Sequence, residues 1–403
     1  MNVPQKRIDF LDWELGVFFH FGIRTFYEGH QDWDMKPMDP SAFDPKELDC
    51  EQWIRSCKEA GAAYAILVCK HHDGFANWPS KYTDYSVAAT PWKDGKGDVV
   101  REFVDACRKY DMKVGLYYSP AQFGSVKMAP KEYDDYFISQ IGELLTNYGK
   151  IDYLWFDGCG SENHKYDTDR VTKAIRSMQP EVIIFNMWDP DTRWIGNEGG
   201  IASMDEGPVV NDLAFSIQTD RVDALDEDVF LPAECDMRIR RQWFYSDADA
   251  PYLKSLDELW GIYLSSVGHG CNMLINIGPD RRGLLPEEDV KRFGELGEKI
   301  RREFAEPICT FEDFTREGDT FLAPVPEGKL VKYVVIEEDL TDGDKVTDFD
   351  IAVHVDPWTK AKKVFRGWKI GHKVICPLPH LAAHRVAVNV TGEGYRLKNI
   401  RVF

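Results

Sequence analysis

Residues 151–158 read Ile151-Asp152-Tyr153-Leu154-Trp155-Phe156-Asp157-Gly158, a short apolar run that stops at a carboxylate followed by a glycine. Near-continuous hydrophobicity over so few residues describes a strand buried on both faces, as in a parallel sheet covered by helices. Outward from it, similar runs occupy Gly16 to Phe21, Ala63 to Val68, Lys113 to Tyr118 and Val182 to Phe185, with a later one at Asn272 to Ile277. Between them apolar residues recur at helical spacing: Trp53, Ile54, Cys57 and Ala60 in one segment, Val100, Phe103, Val104 and Cys107 in the next. Gly61 ends the first of these. Ser255-Leu256-Asp257-Glu258 is a capping box that opens a helix toward Val267, and Pro286-Glu287-Glu288 opens another that runs to about Phe304. This alternation predicts an α/β fold. An open doubly wound sheet would share it, but polar groups at the ends of six runs favour a closed (β/α)8-type barrel.

After about Pro307 the pattern changes. Leu330 to Ile336, Ile351 to Val355 and His384 to Val390 follow one another without helical spacers, which predicts a C-terminal all-β sandwich. The expected division is a barrel over residues 1–306 and a sandwich over 307–403, a size that suits one large domain plus a small module. The charged stretch Asp220 to Asp228 is expected to be a solvated loop.

Charged residues make up 29% of the chain and no apolar run approaches the roughly 18 residues that cross a bilayer, so no membrane-spanning helix is expected. The opening MNVPQKRIDF lacks the basic, apolar and small-residue regions of a secretory signal. The nine cysteines are odd in number and form no C-x-x-C pair; those at Cys57, Cys69 and Cys107 lie in apolar patterns, which suits a reducing cytoplasm. A net charge of −19 argues against nucleic acid, whose affinity comes from clustered Lys and Arg, and for a neutral substrate.

In a barrel the active site forms where strands end, so the polar groups after each run carry the chemistry. The first run ends in His20, the second in Lys70-His71-His72-Asp73-Gly74, the third in Tyr117-Tyr118-Ser119 and the fourth in Asp157-Gly158. A carboxylate at a strand mouth, with a glycine beside it to admit a ligand, is where a glycosidase nucleophile belongs; it could equally cap the next turn or pair with a barrel lysine. A retaining glycosidase needs a second carboxyl about 5 to 5.5 Å away. Glu198 in a glycine-rich, aromatic-flanked loop, Glu206 in Asp205-Glu206-Gly207-Pro208 and Glu234 in Pro232-Ala233-Glu234-Cys235-Asp236 are candidates, each of which could instead be a surface loop glutamate. His20, His71 and His72 could ligate a metal, as in barrel metallohydrolases. Adjacent residues of an extended chain point to opposite faces, so His71 and His72 would share one cation only if the strand had already ended. As neutral imidazoles they suit hydrogen bonds to sugar hydroxyls. Aromatic residues gather near the same points, among them Phe19, Phe21, Phe26, Trp33, Phe75, Trp78 and Trp155, most of them expected in the core.

Trp13-x-x-Gly16-Val17-Phe18-Phe19-His20-Phe21-Gly22 resembles the opening strand of the α-L-fucosidases of glycoside hydrolase family 29. Lys70-His71-His72-Asp73-Gly74-Phe75, Trp78-Pro79-Ser80-Lys81-Tyr82-Thr83, Gly97-Asp98-Val99-Val100, Trp155-Phe156-Asp157-Gly158 and Asn272-Met273-Leu274-Ile275-Asn276-Ile277-Gly278-Pro279 continue that resemblance in order. It implies a retaining, exo-acting hydrolase of fucosylated oligosaccharides or glycoconjugates, with no cofactor or metal. Asp157 would be the nucleophile, and His20, Trp33, His71, His72 and Tyr117 would build the fucose pocket. Arg193-Trp194-Ile195-Gly196-Asn197-Glu198 looks like the acid/base segment of the branch that prefers α-1,3 and α-1,4 linkages, which puts Glu198 first in that role and Glu234 second. Trp368-Lys369-Ile370-Gly371-His372-Lys373 resembles part of the family's β-sandwich module. The chain departs from the branch at Ala121-Gln122-Phe123-Gly124, where a Trp-Asp pair is usual, and at Arg24, where a smaller polar residue is; both bear on linkage and aglycone preference. Two other classes compete with this reading: a carbohydrate-binding protein that kept the pocket and lost catalysis, and a metal-dependent hydrolase that uses the histidines.

Overall fold

The computed structural model describes residues 3–29, 33–121, 128–161, 164–212 and 224–403. In chain order its first part is α1 (Gln5–Leu11), β1 (Leu15–Phe19), α2 (Cys50–Ala60), β2 (Tyr64–Lys70), α3 (Val99–Lys109), β3 (Lys113–Tyr118), α4 (Pro130–Asn147), β4 (Tyr153–Phe156), α5 (Thr168–Met178), β5 (Ile183–Phe185), β6 (Arg193–Trp194), the hairpin β7 (Val209–Asp212) and β8 (Ala224–Phe230), β9 (Ala233–Arg238), α6 (Leu256–Ser266), β10 (Asn272–Asn276) and α7 (Glu287–Glu303). Eight parallel strands form one sheet in the order β5-β4-β3-β2-β1-β10-β9-β6. A single bridge from Phe185 to Thr192 brings its two edges together, so the sheet is a nearly closed barrel.

The helices form where the sequence signals lie. Asp49, Asp98 and Asp167 accept hydrogen bonds from backbone N–H groups in the first turns of α2, α3 and α5, and Ser255 with Glu258 makes the reciprocal box that opens α6. Gly61 ends α2 with φ +102°, a conformation that a side chain would strain. Two barrel connections have no helix among the described residues: residues 186–192 span β5 to β6, and the β7–β8 hairpin lies between β6 and β9. That hairpin corrects the loop expected at Asp220 to Asp228. Residues 224–228 belong to a strand whose end pairs Val229 with Val210 and Phe230 with Val209, and Phe230 is buried against Leu11 and Leu340; residues 220–223 lie outside the described ones.

Strand alternation divides the barrel into two apolar layers. In β2, Ala65, Leu67 and Cys69 face the helices, while Tyr64, Ile66 and Val68 join Phe18, Tyr117, Tyr153 and Trp155 inside the barrel. Side chains in phase with that inner set emerge at the mouth, which fixes where His20, Tyr117 and Asp157 stand.

The remainder is antiparallel: β11 (Thr315–Glu317), β12 (Thr320–Pro324), β13 (Leu330–Glu338), β14 (Val346–His354), β15 (Lys362–Gly367), β16 (Val374–Ala382), β17 (Arg385–Gly392) and β18 (Leu397–Val402). The sheets β11-β12-β17-β14-β15 and β16-β13-β18 share one core, in which Ile351, Val388 and Val390 of the first meet Val334, Ile336 and Val402 of the second. Phe304, just after α7, lies edge-on to Tyr333 and Phe403, with ring centroids 5.3 Å from each, which packs this sandwich against the barrel. Among the described residues no helix is long and apolar enough to cross a membrane.

Candidate active site

The strand ends open into a cavity of about 830 Å³, counted with its mouth, lined by His20, Trp33, His71, His72, Tyr117, Asp157, Glu198 and Asp236 among others. Phe18, Trp155 and Phe185 line its inner end and belong to the barrel's interior core. Its size and its mixture of aromatic walls with convergent polar groups are those of a small-molecule site.

Asp157 follows inward-facing Trp155 by two residues, so the period of β4 delivers its carboxylate to the cavity. Its Oδ2 accepts a hydrogen bond from the Tyr117 hydroxyl at 2.8 Å and lies 3.4 Å from His72 Nε2, while Oδ1 accepts from the Cys159 N–H at 2.9 Å. Burial alone would raise its pKa, but the His72 charge and these three donors hold it below the usual carboxylate value. Burial likewise opposes protonation of His72, yet its Asp157 and Cys159 partners push its pKa up to about 10. The other His72 nitrogen is 2.7 Å from Ser119 Oγ. At neutral pH the pair is therefore a carboxylate beside an imidazolium.

His20 and His71 are in the opposite state. Burial pushes His20 down to about 3, and its Nδ1 lies 2.8 Å from Asn276 Oδ1. Asn276 donates its amide to the Trp243 carbonyl, so its oxygen faces His20, which then carries its proton on Nδ1 and leaves Nε2 as an acceptor. His71 is stacked on Tyr117, with an interplanar angle of 11°, and burial drives its pKa well below the ordinary value.

His71 and His72 meet the condition that their adjacency set in the sequence. The β2–β3 register shifts between Val68 and Lys70, and β2 ends at Lys70, so both histidines lie beyond the strand and turn into the same cavity with ring centroids 4.2 Å apart. Ligand atoms of His71, His72 and Asp157 lie within 4.8 Å of one another, close enough to share a cation.

Glu198 sits on the loop after β6. Asn197 Oδ1 accepts from the Gly199 N–H and its Nδ2 donates to the Ile201 carbonyl, which shapes the turn, and Gly199 bridges to Met237 of β9. The carboxylate, 47% exposed, is 3.1 Å from the Arg238 guanidinium. Glu234 stands elsewhere. It is fully buried on β9 beneath the cavity, and its two oxygens accept from Tyr64 Oη at 2.6 Å, Trp155 Nε1 at 2.8 Å and Tyr153 Oη at 3.2 Å. Burial outweighs those three donors and pushes its pKa up to about 7. Glu206 lies outside the cavity, paired with Arg193.

Sequence reasoning missed Asp236, Arg238, Trp194 and Trp243. Glu234, Asp236 and Arg238 are alternate residues of β9 and rise along one inner face from the core to the mouth. Asp236 accepts from Trp194 Nε1 at 2.7 Å; burial, with Glu198 and Glu234 nearby, outweighs that bond and pushes its pKa up to about 8. The usable signal was the alternation of Cys235 and Met237 with Glu234, Asp236 and Arg238.

Residues 3–303 match the model of the alpha-L-fucosidase family. The chain belongs to that family. It is 38% identical over 301 residues to alpha-L-fucosidase 1 of Arabidopsis thaliana, a match covering 72% of this chain and 58% of that protein's length. A protein of Oryza sativa subsp. japonica is 32% identical over 421 residues, covering 94% of this chain and 80% of the other. A solved glycoside hydrolase 29 family member from an unknown rumen bacterium superposes with a TM-score of 0.90 at 30% identity, over 100% of this chain and 77% of that one. Parallel barrel and antiparallel C-terminal sheets are thus the architecture of this fucosidase family. The departure noted at Gln122, Phe123 and Gly124 lies outside the described residues.

Proposed function

We propose that the protein is a retaining, exo-acting α-L-fucosidase that releases terminal fucose, α-1,3- or α-1,4-linked, from glycans. The observation that carries this is the placing of Asp157 and Glu198 on two different loops of one closed-ended cavity. Asp157 attacks C1 of the fucosyl group as the C1–O bond to the aglycone breaks, and Glu198 gives its proton to the departing oxygen. Water then adds to C1 as the ester bond to Asp157 breaks, with Glu198 taking the water's proton, and the two inversions leave the α configuration unchanged. The imidazolium of His72 and the Tyr117 hydroxyl keep Asp157 ionised for attack, and neutral His20 can accept from a sugar hydroxyl through Nε2.

In this reading residues 1–306 do the chemistry and 307–403 brace the barrel, in a cytoplasmic protein whose free thiols are mostly buried. Azide should rescue Glu198→Ala on an aryl fucoside and, by replacing water in the second inversion, yield α-fucosyl azide; rescue of Glu234→Ala instead would move the acid/base role to β9. A second reading draws on the compact His71, His72 and Asp157 group: a metal-assisted hydrolase. Chelator-sensitive activity, with metal recovered from purified protein, would favour that reading.

A further inference from the structure

At one end of the sandwich two turns lie side by side: residues 355–361, which join β14 to β15, and residues 383 and 384, which join β16 to β17. The His384 N–H donates to the His354 carbonyl at 2.7 Å, and His354 faces Arg385 across β14 and β17, so the two turns share one surface. Between them is a cleft of about 450 Å³, counted with its mouth, that shares no lining residue with the barrel cavity. Trp358 stands on its wall, 83% exposed, the highest value for a large apolar side chain among the described residues. An exposed apolar side chain by itself is ordinary. This one is held in place: Asp356 Oδ1 accepts from the Trp358 N–H at 3.1 Å and from the Thr359 N–H at 2.8 Å, and the Thr359 carbonyl lies 3.4 Å from His354 Nδ1. A tip whose backbone is already ordered loses less entropy when it binds.

The charges around the indole choose the occupant. Lys360 and Arg385 line the cleft and form no ion pair among the described residues, whereas Lys363 and Arg366 of the same hairpin are paired with Asp350 and Asp348. Asp356, the carboxylate among the lining residues, turns one oxygen to the two backbone N–H groups. Two cations therefore face one carboxylate on a chain whose net charge is −19, a local reversal of the protein's field. Two cations are too few to hold a nucleic-acid backbone. They suit a single anionic group, which a guanidinium takes bidentately, while the indole offers its face to the C–H face of a pyranose ring. The Thr359 hydroxyl and the His354 ring add hydrogen-bonding groups for sugar hydroxyls. We propose that this cleft is a second saccharide-binding site, for a glycan residue that carries a carboxylate or a sulfate. The site goes beyond fucose release and does not depend on it: the sandwich holds the charged part of a glycan, whatever the barrel does to another part.

The test is calorimetric titration of the full chain with three probes that carry no fucose: 3′-sialyllactose, lactose 3′-sulfate and lactose. At least one charged probe should bind about fivefold or more tighter than lactose; the sialylated probe in the lead assigns the carboxylate, the sulfated one the sulfate, and either supports the site. Trp358→Ala should weaken the preferred probe about tenfold. Arg385→Gln and Lys360→Gln should each weaken it about fivefold while leaving lactose unaffected, and they carry the test if Trp358→Ala does not fold. Saturating L-fucose should leave this binding in place. No binding of any probe, equal affinity for lactose and the charged probes, an unchanged affinity in Trp358→Ala and Arg385→Gln, or displacement by L-fucose would each overturn the proposal. So would Trp358-dependent capture on phosphatidylserine vesicles with no saccharide bound, which would make the tip a membrane contact. Because no arm measures hydrolysis, a protein that turns over no fucoside leaves this test intact, and failed probe binding leaves the fucosidase reading intact.

Discussion

Asp157 and Glu234 are both carboxyls delivered to the barrel interior by a parallel strand, and they stand in opposite chemical states. Asp157 is at the mouth, 27% exposed, with an imidazolium, a tyrosine hydroxyl and a backbone N–H around it, and its pKa is depressed. Glu234 is in the dry floor, with three neutral donors and no cation beside it among the described residues, and its pKa rises to about 7. At Glu234 three hydrogen bonds do not offset the loss of water around a charge; at Asp157 a partner of opposite charge helps to do so. Depth along the barrel axis, more than residue type, decides which carboxyl can serve as a nucleophile at neutral pH.

The largest expected effect separates the two on turnover. Asp157→Ala should cost on the order of 10⁴-fold in kcat while the melting temperature holds, and Glu234→Gln, which keeps shape and donors, should stay within about threefold of wild type. Steady-state rates on an aryl fucoside decide it; comparable losses in both variants would erase the distinction between mouth and floor.

A smaller effect appears in stability. Because the folded pKa of Glu234 lies above its unfolded value of about 4.5, the folded state holds a proton that the unfolded state has lost between about pH 4.5 and 7. Its contribution to stability therefore falls as pH rises through that window, by roughly 3 kcal/mol in total. Glu234→Gln has no such proton. Denaturant melts should show the variant gaining on wild type from pH 4.5 to pH 8, and parallel curves would mean that the floor is wetter than its packing implies.

The same contrast explains what could be read from sequence. β1 to β5 and β10 are apolar on both faces, so hydrophobic runs reveal them to within a few residues. β6 is two residues long and has no period to detect, and β9 places Glu234, Asp236 and Arg238 on its inner face, so it resembles a polar loop. Residues that end an apolar strand, such as His20 and Asp157, were legible because the strand marks them. Asp236 and Arg238 were missed, because the barrel lumen at β9 is polar and only the alternation with Cys235 and Met237 marks the strand. Glu198 was one of three loop candidates, and only the family resemblance ranked it first, since the turn that presents it is fixed by Asn197 and by contact with Met237 rather than by any local pattern.

The smallest effect probes how the mouth maintains its charge. His72 as an imidazolium has two N–H groups to satisfy: one faces Asp157, and the other donates to Ser119 Oγ at 2.7 Å in a fully buried setting. Ser119→Ala leaves that second N–H without its acceptor, which penalises the charged form by about 1–2 kcal/mol and lowers the His72 pKa by about one unit. Asp157 would then lose part of the field that keeps it ionised. NMR titration of His72 should show the downward shift, while the optimum rate drops only about fivefold. If Ser119→Ala leaves the His72 titration in place, the imidazolium is held by Asp157 alone, and the mouth owes its charge to one contact rather than to a chain of them.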